Sequence, residues 1–344
     1  MSLTVELDRD ERCFGLPEWP SLLDADPQRH IFATPQWQRA WWDEFRTGKD
    51  LLVLKMQRGA EIVALVPLYR KQEGSQQVLR FVGGIDLTDY LGPICSPEDL
   101  LEVAGALVGW LASTDVEWDV FDAHNMPVPF GFAEFLVERA DNAGFRFSLE
   151  QEETAARLLL PRSWDEYVGF LKPKERHELR RKRRRLVREH PDAVFRTSDE
   201  ATEEADFKLF VDMHRGADGL KGHFMRPEIA TFFERLVNAF MPLGALRLDF
   251  LEVNGRPVAT TFGFEWDRTL YLYNSAYEPE ARRLSPGLIL VSELVKRAIE
   301  NGLEVFDFLR GPERYKYQLG GQALPLHNVQ IFNRGDAPRK SSKP

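Results

Sequence analysis

A short segment in the last fifth of the chain has the residue types of an anion-binding loop. In "RRLSPGL", residues 282–288, two arginines precede a Ser-Pro-Gly triplet. A helix that begins at Pro286 would present free N–H groups and the positive end of its dipole, which both favour phosphate. The two arginines would add charge-assisted hydrogen bonds, and Gly287 would let the anion approach the backbone. The same residues also fit an ordinary helix start, with a Ser N-cap and Pro at the first position.

The corresponding segment in the first half of the chain has the opposite charge. There "CSPEDL", residues 95–100, places Glu98 and Asp99 after the Ser-Pro pair. Carboxylates stabilise the start of a helix but repel a phosphate group. Only the segment in the second half is therefore predicted to bind an anionic cofactor.

The elements around these two segments follow the same order in both halves. Each half has two apolar runs joined by a tight turn, then a strand, a helix that follows Ser-Pro, and another strand. The turns lie at Arg58–Gly59 and Asn254–Gly255. Downstream, "VFDAHNMP" from Val120 aligns without gaps to "VFDFLRGP" from Val305, with identical Val, Phe, Asp and Pro. The chain is therefore predicted to contain an internal repeat.

These patterns predict an α/β fold with a mixed sheet, built from two copies of one module. We expect an irregular segment over residues 1–30, a first module over residues 31–155 and a second over residues 156–333. The second module would carry the anion-binding loop and a basic helix over residues 173–189. Residues 334–344 are polar and are expected to form a disordered tail.

The basic helix is the most concentrated charge in an otherwise acidic chain. The chain has a formal net charge of −9, whereas residues 172–189 contain ten Lys or Arg and three Glu. Pro173 would begin the helix, and its few apolar residues, such as Leu179 and Leu186, would form one thin packing edge. The pattern is compatible with an anionic ligand, a membrane surface, a nucleic acid or a solvated helix face.

Composition restricts the class of protein further. Two cysteines, Cys13 and Cys95, provide neither a disulfide framework nor a metal site. The charged start "MSLTVELDRDER" does not resemble a signal peptide, and no apolar run is long enough to span a bilayer. We therefore expect a cytoplasmic protein, with peripheral contact at the inner membrane face as an option through residues 173–189.

The loop "RRLSPG" is also a degenerate form of Arg-x-x-Gly-x-Gly, with Ser285 at the first Gly position. Together with "FATPQWQRAWWDEF", "LKPKERHELRRKRRRL" and "GLEVFDFLRGPERYKYQLGG", it makes the chain resemble the GNAT acyltransferases, in the branch of the CelD-like and Fem-type (FemAB-like) proteins. The resemblance implies two GNAT-like modules in tandem, the first with a degenerate cofactor loop. It also implies acyl-CoA as co-substrate, without a metal. The implied cofactor-binding residues are Arg282, Arg283, Ser285, Gly287 and Leu288.

The candidate catalytic residues lie near the end of the second module. In Fem-type proteins an aromatic–Lys pair lies in the acceptor cleft, and Tyr315 and Lys316 match this pair. Asp307 ends a predicted strand, where open sheets often place site residues, although its counterpart in the first copy equally favours a structural role. Glu313 follows a Gly-Pro turn, and His223 follows a Gly-rich loop. His214 and His223 flank this loop, and either could accept the proton of an ammonium group.

The resemblance thus predicts an acyl-CoA-dependent N-acyltransferase of envelope, polysaccharide or lipid biosynthesis. Its acceptor would be an amino sugar, a peptide amine or a long-chain lipid base. An alternative is a Fem-type enzyme that uses aminoacyl-tRNA, although the chain lacks the coiled-coil insertion of those proteins. A second alternative is a non-enzymatic adaptor whose basic helix binds nucleic acid or membrane. Except for tRNA, nucleic acid is disfavoured because the rest of the chain is acidic.

Overall fold

The computed structural model of the chain describes residues 3–26, 29–216 and 223–333. The predicted tail, residues 334–344, lies outside them, as does most of the Gly-rich loop before His223. No helix among the described residues is long and apolar enough to cross a membrane.

The chain divides into two compact units. The first unit comprises residues 1–154 and 324–344, and the second comprises residues 155–323. The predicted modules differ from these units chiefly at the C-terminus, because the strand Gln322–Phe332 pairs with a strand of the first unit. Sequence order alone could not place that strand, since strands pair by tertiary contact.

The N-terminal segment is not irregular, so that prediction is wrong. Strand β1, Thr4–Asp8, pairs antiparallel with the hairpin that follows. Helix α1, Glu18–Ala25, buries Trp19, whose Nε1 donates to the carbonyl oxygen of Ala33 at 2.9 Å. The segment is ordered because the edge of the sheet and one buried aromatic side chain hold it.

The first unit is a mostly antiparallel sheet with helices. Its strands lie in the order β1-β2-β3-β4-β6-β13, the short β5 pairs with β3, and β4–β6 is a parallel pair. The remaining bounds are β2 Lys49–Arg58, β3 Glu61–Glu73, β4 Gln76–Phe81, β5 Ile94–Cys95, β6 Val120–Pro127 and β13 Gln322–Phe332, with α2 Pro35–Phe45, α3 Leu100–Ser113 and α4 Phe132–Asn142.

The second unit has the same kind of sheet. Its strands lie in the order β7-β12-β11-β10-β9-β8, and β11–β12 is a parallel pair. Its bounds are β7 Arg146–Leu159, which enters the unit at Ala155, β8 Val194–Thr197, β9 Leu246–Val253, β10 Arg256–Trp266, β11 Thr269–Tyr277 and β12 Val305–Arg310, with α5 Trp164–Phe170, α6 Pro173–Glu189, α7 Glu203–Arg215, α8 Pro227–Phe240, α9 Pro286–Glu300 and α10 Arg314–Gln318.

The predicted repeat and mixed α/β fold are confirmed. Each unit has an antiparallel hairpin, β2–β3 or β9–β10, followed by a strand, a helix and a second strand parallel to the first. The connecting helices bury apolar side chains, Leu107 on α3 and Val295 on α9 among them. Each such fully buried side chain contributes about 1.5–3 kcal/mol, so the two helices hold their parallel strands in place.

The two helix starts are less alike than the shared Ser-Pro pair predicts. Pro286 is the first residue of α9, as expected. In the first unit, however, α3 begins at Leu100, and Pro97 lies in a preceding turn. Asp99 is the N-cap, and its carboxylate binds Arg58 at 2.8 Å. This ion pair occupies the first turn in place of an anionic ligand.

Candidate active site

The parallel strands β11 and β12 separate towards their carboxyl ends. They pair over residues 269–271 and 305–307. Beyond these residues β11 continues to Tyr277 and β12 to Arg310, and the described residues include no further pair between the two strands. A gap that narrows towards Tyr271 and Asp307 therefore lies in the sheet, at the end where open α/β sheets bind ligands.

An extra residue in each strand accounts for the separation. Between β10 and β11 the register shifts so that Tyr273 has no counterpart on β10. Between β12 and β7 it shifts after Asp307, and there Leu309 has a φ of 60°. Such bulges bend a strand and re-aim its backbone groups. The amide N–H of Leu309 donates to Asp307 Oδ1 at 2.9 Å, which fixes the bulge in β12.

The predicted anion-binding loop lies at the β11 side of this gap. Arg282 and Arg283 are exposed on a 3-10 turn, Pro279–Leu284, that leads into α9. Ser285 has φ 57° and ψ 48°, a left-handed conformation that costs a non-glycine residue about 1–2 kcal/mol. A glycine would adopt this conformation without that cost.

Gly287 leaves open space at the first turn of α9. A Cβ added there would meet the Cδ1 atom of Tyr277 at 3.6 Å, an ordinary contact. The glycine is therefore not required by packing or by backbone angles, and its effect is to keep the first turn accessible. Leu288, the last predicted cofactor-binding residue, packs partly buried against the core of the second unit.

The basic helix α6 lies against α9. Lys182, Arg183 and Arg185 are half-buried, whereas Arg180, Arg181 and Arg184 are exposed. Arg183 Nη2 lies 2.7 Å from Glu293 Oε2 on α9. The helix is thus not a wholly solvated face. The apolar spacing of the sequence indicated only Leu179 and Leu186 as packing residues, so the contact of Arg183 with α9 was not predicted.

Lys316 is buried on α10, the short helix that follows β12. Its Nζ donates to the carbonyl oxygen of Leu309 at 3.1 Å and to that of Arg310, and it lies 3.0 Å from Glu313 Oε2. All three ammonium donors are engaged, so Lys316 ties the bulged end of β12 to α10. The exposed Glu313 also folds over Gly311, where a Cβ would clash with its carboxylate.

Asp307 and Tyr315 lie on either side of this tie. Asp307 is fully buried, and its Oδ2 lies 3.3 Å from Arg157 Nε on β7. It touches backbone and arginine, so the structure gives it a positioning contact. Tyr315 packs edge-on against Phe308, and burial raises its pKa, so the phenol remains protonated at neutral pH.

His223 is exposed, and no hydrogen bond among the described residues links it to the predicted site residues. By contrast His214, on the other side of the Gly-rich loop, is buried on α7, and its Nε2 lies 2.7 Å from Asn274 Oδ1 on β11. Asn274 follows the bulged Tyr273 and was missed by sequence analysis. An asparagine within an apolar strand was the available signal.

In the first unit the corresponding parallel pair is closed by the chain itself. Strands β4 and β6 pair only at Val78–Val120 and Leu79–Phe121. The loop of residues 82–91 then takes up the edge of β6, because Asn125 Nδ2 donates to the carbonyl oxygens of Ile85 and Thr88. The Asn125 carbonyl oxygen also accepts from Leu91 N at 3.1 Å.

A charged cluster lies on β6 at the position of Asp307. Asp122 is buried and binds Arg80 at 2.8 Å, which parallels the Asp307–Arg157 contact. His124 lies between two carboxylates, 2.8 Å from Asp122 Oδ2 and 2.6 Å from Glu152 Oε2. Burial alone would lower the pKa of His124, but the two carboxylates raise it to about 9.

Comparison with known proteins gives one family match within the second unit and several fold matches. The family model for the acetyltransferase (GNAT) domain matches residues 173–317, which begin at the first residue of α6. No curated protein sequence matches the chain.

Three solved structures are similar to the chain in fold. FemX has a TM-score of 0.68 at 12% identity, with 96% of this chain and 98% of FemX covered. A conserved protein of unknown function from Bacteroides thetaiotaomicron has a TM-score of 0.57 at 13% identity, with coverages of 96% and 100%. A tandem GNAT protein from the clavulanic acid biosynthesis pathway has a TM-score of 0.50 at 11% identity, with coverages of 97% and 100%. At these identities the similarity shows the fold alone.

Proposed function

We propose that the protein transfers an acyl group from acyl-CoA to the amine of an acceptor, because residues 173–317 match the family model for the acetyltransferase (GNAT) domain. The gap between β11 and β12 supports this proposal most directly. Its β11 side ends at Tyr277, next to Gly287 in the first turn of α9. The gap, which could take an extended ligand, therefore lies next to a helix start that could take a phosphate group.

The donor would lie along this gap. Bulged strand edges offer backbone groups to the amides of an extended pantetheine arm. At the start of α9, free N–H groups, the dipole and the exposed Arg282 and Arg283 would hold the pyrophosphate. When bound, acyl-CoA supplies the acyl group as a thioester. The residues of the chain then have to position donor and amine and to stabilise the developing negative charge.

Proton transfer needs a group that can accept the proton of an ammonium. Lys316 has no donor to spare, and the protonated phenol of Tyr315 is suited to donating a hydrogen bond or a proton. We therefore propose the exposed side chains of Glu313 and His223 as the candidate acceptors. Asp307 and Lys316 would act as positioning residues that fix the β12 bulge.

The acceptor is proposed to be a primary amine on an amino sugar, a peptide or a long-chain lipid base. The test combines acyl-CoA donors of increasing chain length with each of these three amine classes. The reaction is measured as the release of free thiol. Thiol release that requires one amine class, with the acylated product found by mass spectrometry, supports the proposal. No acceptor-dependent release with any pair, while the folded protein also fails to bind CoA, rejects it.

The aminoacyl-tRNA alternative is separated by what the purified protein retains. A bound CoA species detected by mass spectrometry favours the N-acyltransferase. Co-purifying RNA, seen as a raised ratio of absorbance at 260 and 280 nm, favours a tRNA-dependent enzyme or a nucleic-acid adaptor.

The exposed half of α6 supports a further proposal about its partner. Arg180, Arg184 and Arg188 face solvent, and Phe170, just before the helix, is 73% exposed. Basic side chains beside an exposed aromatic ring fit an anionic lipid surface. Changing the three arginines to Gln should abolish flotation with phosphatidylglycerol vesicles. Unchanged flotation, or equal flotation of the wild type with phosphatidylcholine vesicles, would reject this contact.

A further inference from the structure

The inner face of α6 places an ammonium group against the start of α9. Lys182 Nζ donates to Ser285 Oγ at 2.9 Å. Ser285 is the N-cap position of α9, although its own side chain caps no helix N–H. Lys182 is half-buried, and in the described part of the chain no carboxylate lies within ion-pair distance of its Nζ.

This arrangement is electrostatically unfavourable without an anion. A helix N-terminus carries positive partial charge, and Lys182 adds a full positive charge beside it. Arg282 and Arg283 lie on the same turn, and Arg185 Nη1 donates to the carbonyl oxygen of Arg283 at 3.0 Å. The loop thus carries two exposed arginines and contacts Lys182 and Arg185 of α6, of which Arg185 also binds Glu189 Oε2 at 2.8 Å. Lys182 is the half-buried cation of this group without a carboxylate partner among the described residues, and an anion would stabilise it.

The position of Lys182 is fixed by its neighbour on the helix. Arg183 binds Ser292 Oγ at 3.2 Å and Glu293 Oε2 at 2.7 Å, both on α9. Its guanidinium also lies 5.4 Å from the ring centre of Trp164 on α5. These contacts dock α6 onto α9 independently of Lys182. The contacts of Arg183 with α9 therefore keep the ammonium group of Lys182 beside the loop, whether or not Lys182 bonds to Ser285.

Pro286 gives the ammonium group a role. Proline has no backbone N–H, so the first turn of α9 has one donor fewer than a glycine-rich loop would have. A lysine offers three donors and a full charge. The GNAT family match also begins at Pro173, so α6 belongs to the matched domain. We propose that Lys182 binds the pyrophosphate of the CoA donor and replaces the N–H that Pro286 lacks. This inference rests on the proposed function.

The test is a calorimetric titration of Lys182→Met with CoA and with dephospho-CoA, which keeps the pyrophosphate but lacks the 3′-phosphate. Affinity for both should fall by about 10- to 100-fold, the range expected for one hydrogen bond to a charged group. Lys182→Arg should restore most of it. Lys174→Met, an exposed lysine of the same helix, is the matched control and should leave both affinities unchanged.

A stability measurement separates binding from structure. Because the ammonium is repelled by its surroundings, Lys182→Met should leave the Tm of the ligand-free protein unchanged or raise it, whereas a structural lysine would lower it. Wild-type affinity in Lys182→Met, or a lowered Tm with unchanged affinity, overturns the inference. A loss seen with CoA but not with dephospho-CoA would place Lys182 at the 3′-phosphate and overturn the assignment to the pyrophosphate. If the wild type binds neither compound, the proposed function itself fails.

Discussion

The two units build the same parallel strand pair and then treat its open end differently. In the first unit the loop of residues 82–91 bonds to β6 through Asn125, and its Leu87, Thr88 and Leu91 are buried. In the second unit β11 and β12 diverge past Tyr271 and Asp307, and a bulge in each strand keeps them apart. The first unit uses the strand edge for its own hydrogen bonds, and the second leaves the edge open, where we propose that the donor binds.

The helix starts differ in the same sense. Arg58 binds Asp99 at 2.8 Å and Glu102 at 2.5 Å in the first unit, so the positive end of α3 is met by internal carboxylates. In the second unit cationic side chains surround the start of α9, and Gly287 keeps its first turn open. The two units thus differ at one strand edge and one helix end, and the proposed function would use this difference to place binding in the second unit alone.

The largest effect should come from giving the second unit the charge of the first. Gly287→Glu would place a carboxylate in the proposed phosphate site. Two like charges about 4 Å apart near a protein surface repel by about 4 kcal/mol, so CoA affinity should fall by about a thousandfold. Calorimetric titration measures this, with Gly287→Ala as control because its Cβ meets only Tyr277. Unchanged CoA affinity in the folded Gly287→Glu variant would contradict the proposed phosphate site at the start of α9.

The next effect tests the tie between β12 and α10. Lys316→Met keeps an unbranched side chain, one heavy atom shorter, but leaves two carbonyl oxygens and the Glu313 carboxylate without their donor. We expect a loss of about 3 kcal/mol in the free energy of unfolding, together with reduced kcat/KM. Chemical denaturation and steady-state kinetics measure the two quantities. Wild-type stability with strongly reduced turnover would instead indicate a direct catalytic role.

The charged cluster of the first unit predicts that the stability of the protein depends on pH. The pKa of His124 is raised to about 9 from an unfolded value of about 6.5. Its stabilisation is therefore complete below about pH 6.5 and is lost as pH rises through about 9. The free energy of unfolding should decrease by about 2 kcal/mol between pH 7 and pH 9.

His124→Gln is the control for this pH profile, because Gln keeps hydrogen-bonding capacity without the charge. The groups that face His124 are Asp122 and Glu152, with Arg80 bound to Asp122 in turn. Since Gln cannot take up a proton, the difference between the two profiles reports His124. Parallel profiles for the two proteins would contradict the prediction.

The smallest effect should come from loosening the closed gap of the first unit. Asn125→Ala removes the donor to Ile85 and Thr88 and should lower the free energy of unfolding by about 1–2 kcal/mol. Because Asn125 has a φ of 55°, Asn125→Gly separates backbone strain from the lost bonds. CoA affinity should not change in either variant. A fall in affinity would mean that the first unit takes part in donor binding.

Particular residues show which features of the fold and of the candidate site could be predicted from the sequence. The Ser-Pro pairs and the aligned "VFDAHNMP" and "VFDFLRGP" segments predicted the repeat, which the structure confirms. Lys316 was predicted as a candidate catalytic residue from its match to the aromatic–Lys pair, and the structure places it buried with all its donors bonded. That outcome depends on the carbonyl oxygens of a bulged strand, and no residue type in the sequence encodes a bulge by itself.

The sequence alone determined the elements and the sign of charge at each helix start, because hydrophobic periodicity, Pro and Ser positions and carboxylate or arginine identities act locally. Only the tertiary structure decided which strand edge is occupied, since residues 82–91 had to fold back onto Asn125. It also decided the place of the basic segment, whose Lys182 meets Ser285, 103 residues further along the chain. The sequence does not show which basic residues of a helix face the protein. Packing decides this, and here the contacts of Arg183 with α9 turn one face of α6 inward and leave the other in water.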